Sequence, residues 1–147
     1  MSADEIRRFE AAITPAAVEG GQVIELGLKV GIRDLDAGGP TSPALVAEQA
    51  ELWAADLDRI TTRFSDSPAP SSLVAVRKAF VAALREYAAA ARLIGDGAKA
   101  EGDRRNSLLD GAVARARAAD GLYDDAARRL QRLRREAGLE ANPDFPS

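Results

Sequence analysis

The chain of 147 residues contains no histidine and no cysteine, and only 5% of its residues are aromatic. Without those two side chains there is no imidazole or thiolate ligand for zinc or haem, no disulfide, no cysteine nucleophile and no triad with a histidine base. These absences exclude a large part of enzymology. We therefore expect no catalytic residue, no cofactor and no metal site.

The formal charge of -3 provides no overall attraction to phosphate backbones or anionic lipid, so no nucleic-acid partner is expected. No stretch approaches the roughly 18 uncharged apolar residues of a membrane span. The opening MSADEIRRFE is charged and lacks the apolar core of a signal peptide. The expected location is the cytoplasm, with a secreted or envelope-associated domain expressed without its signal as the alternative.

The length and the hydrophobic content of 46% suit a single domain over residues 1–147. Alanine is abundant and arginine outnumbers lysine 17 to 3, a bias typical of a GC-rich bacterial genome. The bias concerns the source of the chain and carries no information about mechanism.

Apolar residues recur at intervals of three and four along most of the chain, which is the pattern of amphipathic helices. Start signals precede several of these segments: Ser2 with Glu5 forms a capping box, and Thr14-Pro15 and Thr41-Ser42-Pro43 combine an N-cap with a proline at the first helical position. The pattern predicts helices over residues 3–13, 15–37, 43–64, 73–94 and 107–137 and an irregular tail over 138–147, and it leaves 95–106 open as loop or helix.

No segment alternates apolar and polar residues, so a sheet is not expected. Four long helices with short connections favour an antiparallel up-down bundle. The predicted fold is all-α, a four-helix bundle with a short extra N-terminal helix.

Three glycines lie inside the second predicted helix, where each costs roughly 1 kcal/mol relative to alanine. Gly20, Gly27 and Gly31 fall together on the apolar face of that helix and make a smooth surface that another backbone can approach. We interpret this face as a close-packing surface whose partner is the alanine seam of the last helix. A groove for a ligand or a second chain is the alternative.

Five arginines occur within eight residues that contain no acid, near the end of the last predicted helix. Cations there match the helix dipole, and Asp124 and Asp125 precede Arg128 and Arg129 at the i,i+4 spacing of helical ion pairs. A solvated face explains the pattern. A patch for an anion or an acidic partner is the sharper hypothesis, since one guanidinium group can bind a carboxylate or a phosphate through two parallel hydrogen bonds. The candidate patch consists of Arg128, Arg129, Arg132 and Arg135.

Two carboxylate pairs at helical spacing, Glu48 with Glu51 and Asp120 with Asp124, have no histidine beside them and are a weak metal signal. The hypothesis that remains is a non-catalytic helical bundle acting through protein-protein association, as a homodimer or with another protein. The alternative is a small-ligand-binding or enzymatic bundle that uses arginine and carboxylate groups on an anionic metabolite.

Overall fold

The structure, a computed structural model, describes all 147 residues and contains helices but no strands. The predicted all-α bundle is confirmed. A short 3-10 turn (Ser71–Leu73) precedes the fourth α-helix. The other elements are α1 (Ala3–Gln22), a π-helical segment (Val23–Leu28), α2 (Lys29–Ala37), α3 (Pro43–Asp66), α4 (Val74–Lys99) and α5 (Gly102–Glu136).

Four helical columns form the bundle, because α1, the π-helical segment and α2 follow one another without a break. Neighbouring columns run in opposite directions. Phe64 near the end of α3 packs on Phe80 near the start of α4, with ring centroids 5.5 Å apart. At the other end of this pair, Gly95 of α4 lies against Ala50 of α3. The short connections hold the columns in this up-down order.

The predicted helix break between residues 13 and 15 is wrong, because α1 continues through Pro15. A proline inside a helix removes one hydrogen bond and crowds the carbonyl four residues earlier, here that of Ala11. Ala11 and Pro15 are both exposed, so water can solvate that carbonyl. The apolar seam meanwhile continues through Ile13 and Ala16, and this burial outweighs the local cost of proline.

The irregularity of the first column lies further along, in the π-helical segment. The N–H of Lys29 donates to the carbonyl of Ile24, five residues earlier, where an α-helix would pair it with Glu25. The wider turn accommodates one additional residue. Ile24, Gly27 and Leu28 face the core within this segment, at the i, i+3 and i+4 spacing that an α-helix also places on one face.

Residues 95–106 are almost entirely helical: α4 extends beyond the predicted end at residue 94, and α5 begins before residue 107. Gly95 and Gly97 are buried and leave room for neighbouring helices, so they do not end α4. The chain turns over Ala100 and Glu101, and Gly102 has the positive φ of 58° that glycine adopts readily. Arg105 covers the end of α4, its Nε donating to the carbonyls of Gly97 and Ala100 at 3.0 Å each.

The core is one continuous apolar cluster along the axis of the bundle. The tail, defined as residues 138–147, has no regular secondary structure but belongs to this core. Phe145 of the tail is fully buried, and its ring lies 5.5 Å from that of Phe80. The structure contains no helix with the combination of length and apolar composition that a membrane span requires.

Candidate functional site

The predicted arginine patch lines the largest cleft of the molecule, which has a volume of about 890 Å³. We call it the arginine cleft. Helix α5 supplies one wall, and the opposite wall is the start of α4 with Ser72, Ala75 and Val76. The spacing of the arginines along α5 directs them to one side of the helix. The structure therefore brings all four predicted residues together: Arg128, Arg129, Arg132 and Arg135.

Most of the positive charge in the arginine cleft is not neutralised by the protein. Arg128 contacts Asp124 and lies 3.4 Å from Asp125. Arg129, Arg132 and Arg135 are exposed and form neither an ion pair nor a hydrogen bond within the chain. Three guanidinium groups thus have free donors directed at the same space, the condition under which carboxylates or phosphates bind in a bidentate manner.

The opposite wall adds a second positive feature. No side chain caps the 3-10 turn or the start of α4, and the first turn of α4 contains no acidic residue. The N–H groups of Leu73 and Val74 donate to the carbonyls of Pro70 and Ser71, so the positive character of this helix start comes from the helix dipole. Because this helix start faces the arginines, both walls favour a negatively charged occupant.

Arg134 belongs to the same run in the sequence but has a different role. Its side chain is only 12% exposed and pairs with Glu10 of α1, which is 6% exposed. The Nε of Arg134 donates to the carbonyl of Glu140 at 2.6 Å, and the side-chain amide of Asn142 donates to Glu10 at 2.8 Å. This buried pair joins the first column to the last helix and to the tail.

The tail is held against α5 by Gln131, which the sequence analysis did not single out. The side-chain amide of Gln131 donates to the carbonyls of Asn142 and Phe145, and its oxygen accepts from the N–H of Asn142 at 3.0 Å. The one signal in the sequence was an aromatic residue between two prolines, Pro143-Asp-Phe145-Pro146, in an otherwise polar end segment.

The three predicted close-packing glycines are all buried, but their neighbour differs from the one predicted. A Cβ placed on Gly27 would lie 2.6 Å from Nε1 of Trp53, and one on Gly31 would lie 2.6 Å from the far edge of the same indole. Gly20 faces Ile60 at 3.7 Å. The partner is α3, and the prediction of the alanine seam of α5 is wrong, because an indole fills the space that the glycines leave.

A polar network missed by sequence reasoning joins the π-helical segment, α2, α4 and α5. The hydroxyl of Tyr87 donates to Asp120, and Lys29 bridges Asp120 at 3.4 Å and Glu25 at 2.9 Å. Burial, together with this hydrogen bond, raises the pKa of Tyr87 above its ordinary value. Partial burial alone would lower the pKa of Lys29, but its hydrogen bond to Glu25 and the charge of Asp120 leave it raised.

Three of the four carboxylates considered for a metal are paired with cationic side chains, and Glu48, which is exposed, has no such partner. Glu51 lies 3.4 Å from the ammonium of Lys99, and Asp124 binds Arg128. No group of three or more acidic side chains converges in a way that could hold an ion. Comparison of the chain with protein-family models, with curated proteins and with solved structures found no match.

Proposed function

We propose that this protein is a non-catalytic binding bundle that docks an acidic segment of a partner protein in the arginine cleft. The observation that carries the proposal is the set of three exposed arginines without an ion pair, placed opposite an uncapped helix start. An acidic peptide segment offers several carboxylates at the spacing of its side chains, and it is long enough to contact both walls.

The surroundings of the arginine cleft favour a short acidic segment over a nucleic acid. The chain has a net charge of -3, and the positive region is bordered by Asp124 and Asp125. A long phosphate backbone would extend over these carboxylates and over the acidic remainder of the surface. Electrostatic attraction to the phosphate backbone supplies most of the affinity of nucleic-acid-binding proteins, and this surface would oppose it.

The position of the arginines also favours a protein segment over a small metabolite. All four side chains are exposed along an open cleft, and the buried guanidinium of Arg134 is already paired with Glu10. A small anion would stay largely hydrated there, whereas a peptide buries apolar area beside its charges. Leu133 and Ala75 supply apolar surface for that burial.

The test compares two variants with the same change of charge. The first changes Arg128, Arg129, Arg132 and Arg135 to glutamate. The matched control changes four exposed arginines outside the cleft, none of which forms an ion pair: Arg33, Arg85, Arg104 and Arg117. The probe is a fluorescent peptide of ten glutamates, and its binding is followed by anisotropy at low and at physiological salt.

We expect the cleft variant to lose about tenfold or more in affinity for the peptide and the control to lose much less, since a local site depends on position and not on total charge. Binding of wild type should weaken with salt. Equal losses in both variants, or equal affinity of wild type for a DNA duplex, would contradict the proposal. Sedimentation at tens of micromolar identifies the source of the segment: a dimer that the cleft variant dissociates places it on a second copy of this chain.

A further inference from the structure

A second cleft lies away from the arginine cleft, where α1 and the π-helical segment face Tyr87 of α4 and Tyr123 of α5. We call it the tyrosine pocket. Its volume of about 380 Å³ lies within the range of small-molecule sites. Ile24 and Leu84 are buried and give it an apolar floor, and Gly21 at its edge has no atom within 4 Å of the position that a Cβ would take.

The tail closes one side of the tyrosine pocket. Pro143, Asp144 and Pro146 line it, while Phe145 between them is anchored in the core. Gln131 fixes the backbone on both sides of Pro143 and Asp144 through its hydrogen bonds to Asn142 and Phe145. The wall is therefore held in place before any ligand arrives, which lowers the entropic cost of binding.

The charges around the pocket are predominantly negative. Glu25 and Asp144 line it, and Asp120 lies directly behind Tyr87. Lys29 is the one ammonium in this network, and it is shared between Glu25 and Asp120. The carboxylate of Asp144 forms no ion pair, so the three carboxylates are balanced by a single positive charge. A cation would be attracted to this pocket and an anion would be repelled.

The two tyrosines supply aromatic surface of the kind that binds cations. An ammonium over a phenol ring is attracted by the negative face of the ring, and this attraction grows when water is excluded. The hydroxyl of Tyr123 forms no hydrogen bond within the protein, and burial raises its pKa to about 12. Like an ordinary tyrosine it is neutral at physiological pH, and its free hydroxyl oxygen can accept a hydrogen bond from a bound ammonium.

We propose that the tyrosine pocket binds a small organic ammonium ion that carries an apolar group. Glu25, Asp144 and the tyrosine rings would hold the cation, and the floor of Ile24 and Leu84 would hold the apolar part. The site is separate from the arginine cleft and takes a ligand of the opposite charge. Its existence does not depend on the proposed function.

Three probes of similar size and different charge test the proposal: 2-phenylethylammonium, the neutral 2-phenylethanol and the anionic 3-phenylpropanoate. Binding is followed by the backbone amide signals of Gly21, Glu25, Tyr123 and Asp144 in two-dimensional NMR. We expect the ammonium to bind with a dissociation constant of about 1 mM or below, the alcohol about tenfold more weakly, and the anion more weakly still.

Two variants locate the binding. Gly21→Leu places its Cβ at the edge of the pocket with no atom within 4 Å, so the variant should fold, and its side chain should obstruct the pocket and abolish binding of the ammonium. Gly121→Leu is the matched control, since Gly121 is also an exposed helical glycine with no neighbour within 4 Å and does not line the pocket. Glu25→Gln should weaken binding of the ammonium and leave binding of the alcohol unchanged.

Each other result overturns the proposal. If wild type binds none of the probes, the pocket is not a site for this class. If the anion binds as well as the ammonium, the charge argument is wrong. If Gly21→Leu and Gly121→Leu bind the ammonium equally well, the ligand lies elsewhere on the molecule.

Discussion

Among single residues, Trp53 explains why the first column contains glycines at positions 27 and 31. Its indole lies half-buried against the two glycines of the π-helical segment and α2, which have no side chain to displace it. The cost of two helical glycines is thus offset by the packing of one large aromatic side chain.

Gly27→Leu should lower the free energy of unfolding by ~1 to 3 kcal/mol, the usual range for overpacking a core. The added side chain would begin 2.6 Å from Trp53, so either the indole or the helix must shift. Chemical denaturation measures the change, and the fluorescence of the single tryptophan reports any displacement of the indole.

Gly121→Leu is the control for Gly27→Leu, because it makes the same substitution where no atom is near. Its free energy of unfolding should rise by up to about 1 kcal/mol, since leucine favours helix over glycine. A similar rise in Gly27→Leu would mean that Trp53 does not occupy the space beside Gly27 in solution.

At the scale of chain segments, the tail contributes a fully buried aromatic side chain to the core although its backbone is irregular. Phe145→Ala should lower the free energy of unfolding by ~3 to 5 kcal/mol, the range for removing a buried aromatic side chain. Phe145 is fully buried beside Phe80, so the deletion leaves a cavity in the core beside the start of α4. Thermal denaturation measures the loss.

Phe145→Leu retains most of the buried volume and should lose less stability than Phe145→Ala. A loss in Phe145→Ala of no more than about 0.5 kcal/mol, which is typical of surface substitutions, would show that the tail is detached from the core in solution.

Helices with a continuous apolar seam and a side-chain cap were predictable from the sequence, and α3 is the example. Its start follows from Ser42, whose hydroxyl accepts from the N–H of Leu45, and its seam is buried from Val46 to Phe64. Pro15 was misinterpreted as the start of a new helix, and the segment from Gly95 was left open as loop or helix, because both residues are tolerated inside a helix for reasons outside their own segments. One faces solvent, and the other makes room for Ala50 of a neighbouring helix.

For the molecule as a whole, half of the candidate site was predictable from the sequence. The spacing of Arg128, Arg132 and Arg135 is sufficient to place them on one face of α5. Arg134 follows Leu130 by four residues, so its position beside the buried seam also follows from spacing. The opposite wall could not be predicted from the sequence. The helix start that faces the arginines is determined by the tertiary arrangement of the four columns.

The pair of Glu10 and Arg134 is a buried polar contact that closes the bundle between its first and last columns. Arg134→Ala should lower the free energy of unfolding by ~3 to 5 kcal/mol, because it leaves the carboxylate of Glu10 buried without its partner. Arg135→Ala is the matched control, since Arg135 is exposed and unpaired, and should change stability by no more than about 0.5 kcal/mol. Equal stability of the two variants in urea denaturation would contradict the assignment of a closing role to the pair.

The contact of Glu10 with Arg134 places the start of α1 and the tail at the same end of the bundle, where the side-chain amide of Asn142 also donates to Glu10. The packing between the columns therefore does not depend on which loops connect them. A circular permutant that joins the tail to the first residues by a short linker, and opens at Gly38-Gly39-Pro40 between α2 and α3, would retain every contact between columns. The tyrosine pocket would survive the rearrangement because it draws no residue from the opened loop, whereas the linker would begin at Ser147 and so alter the edge of the arginine cleft that this residue lines.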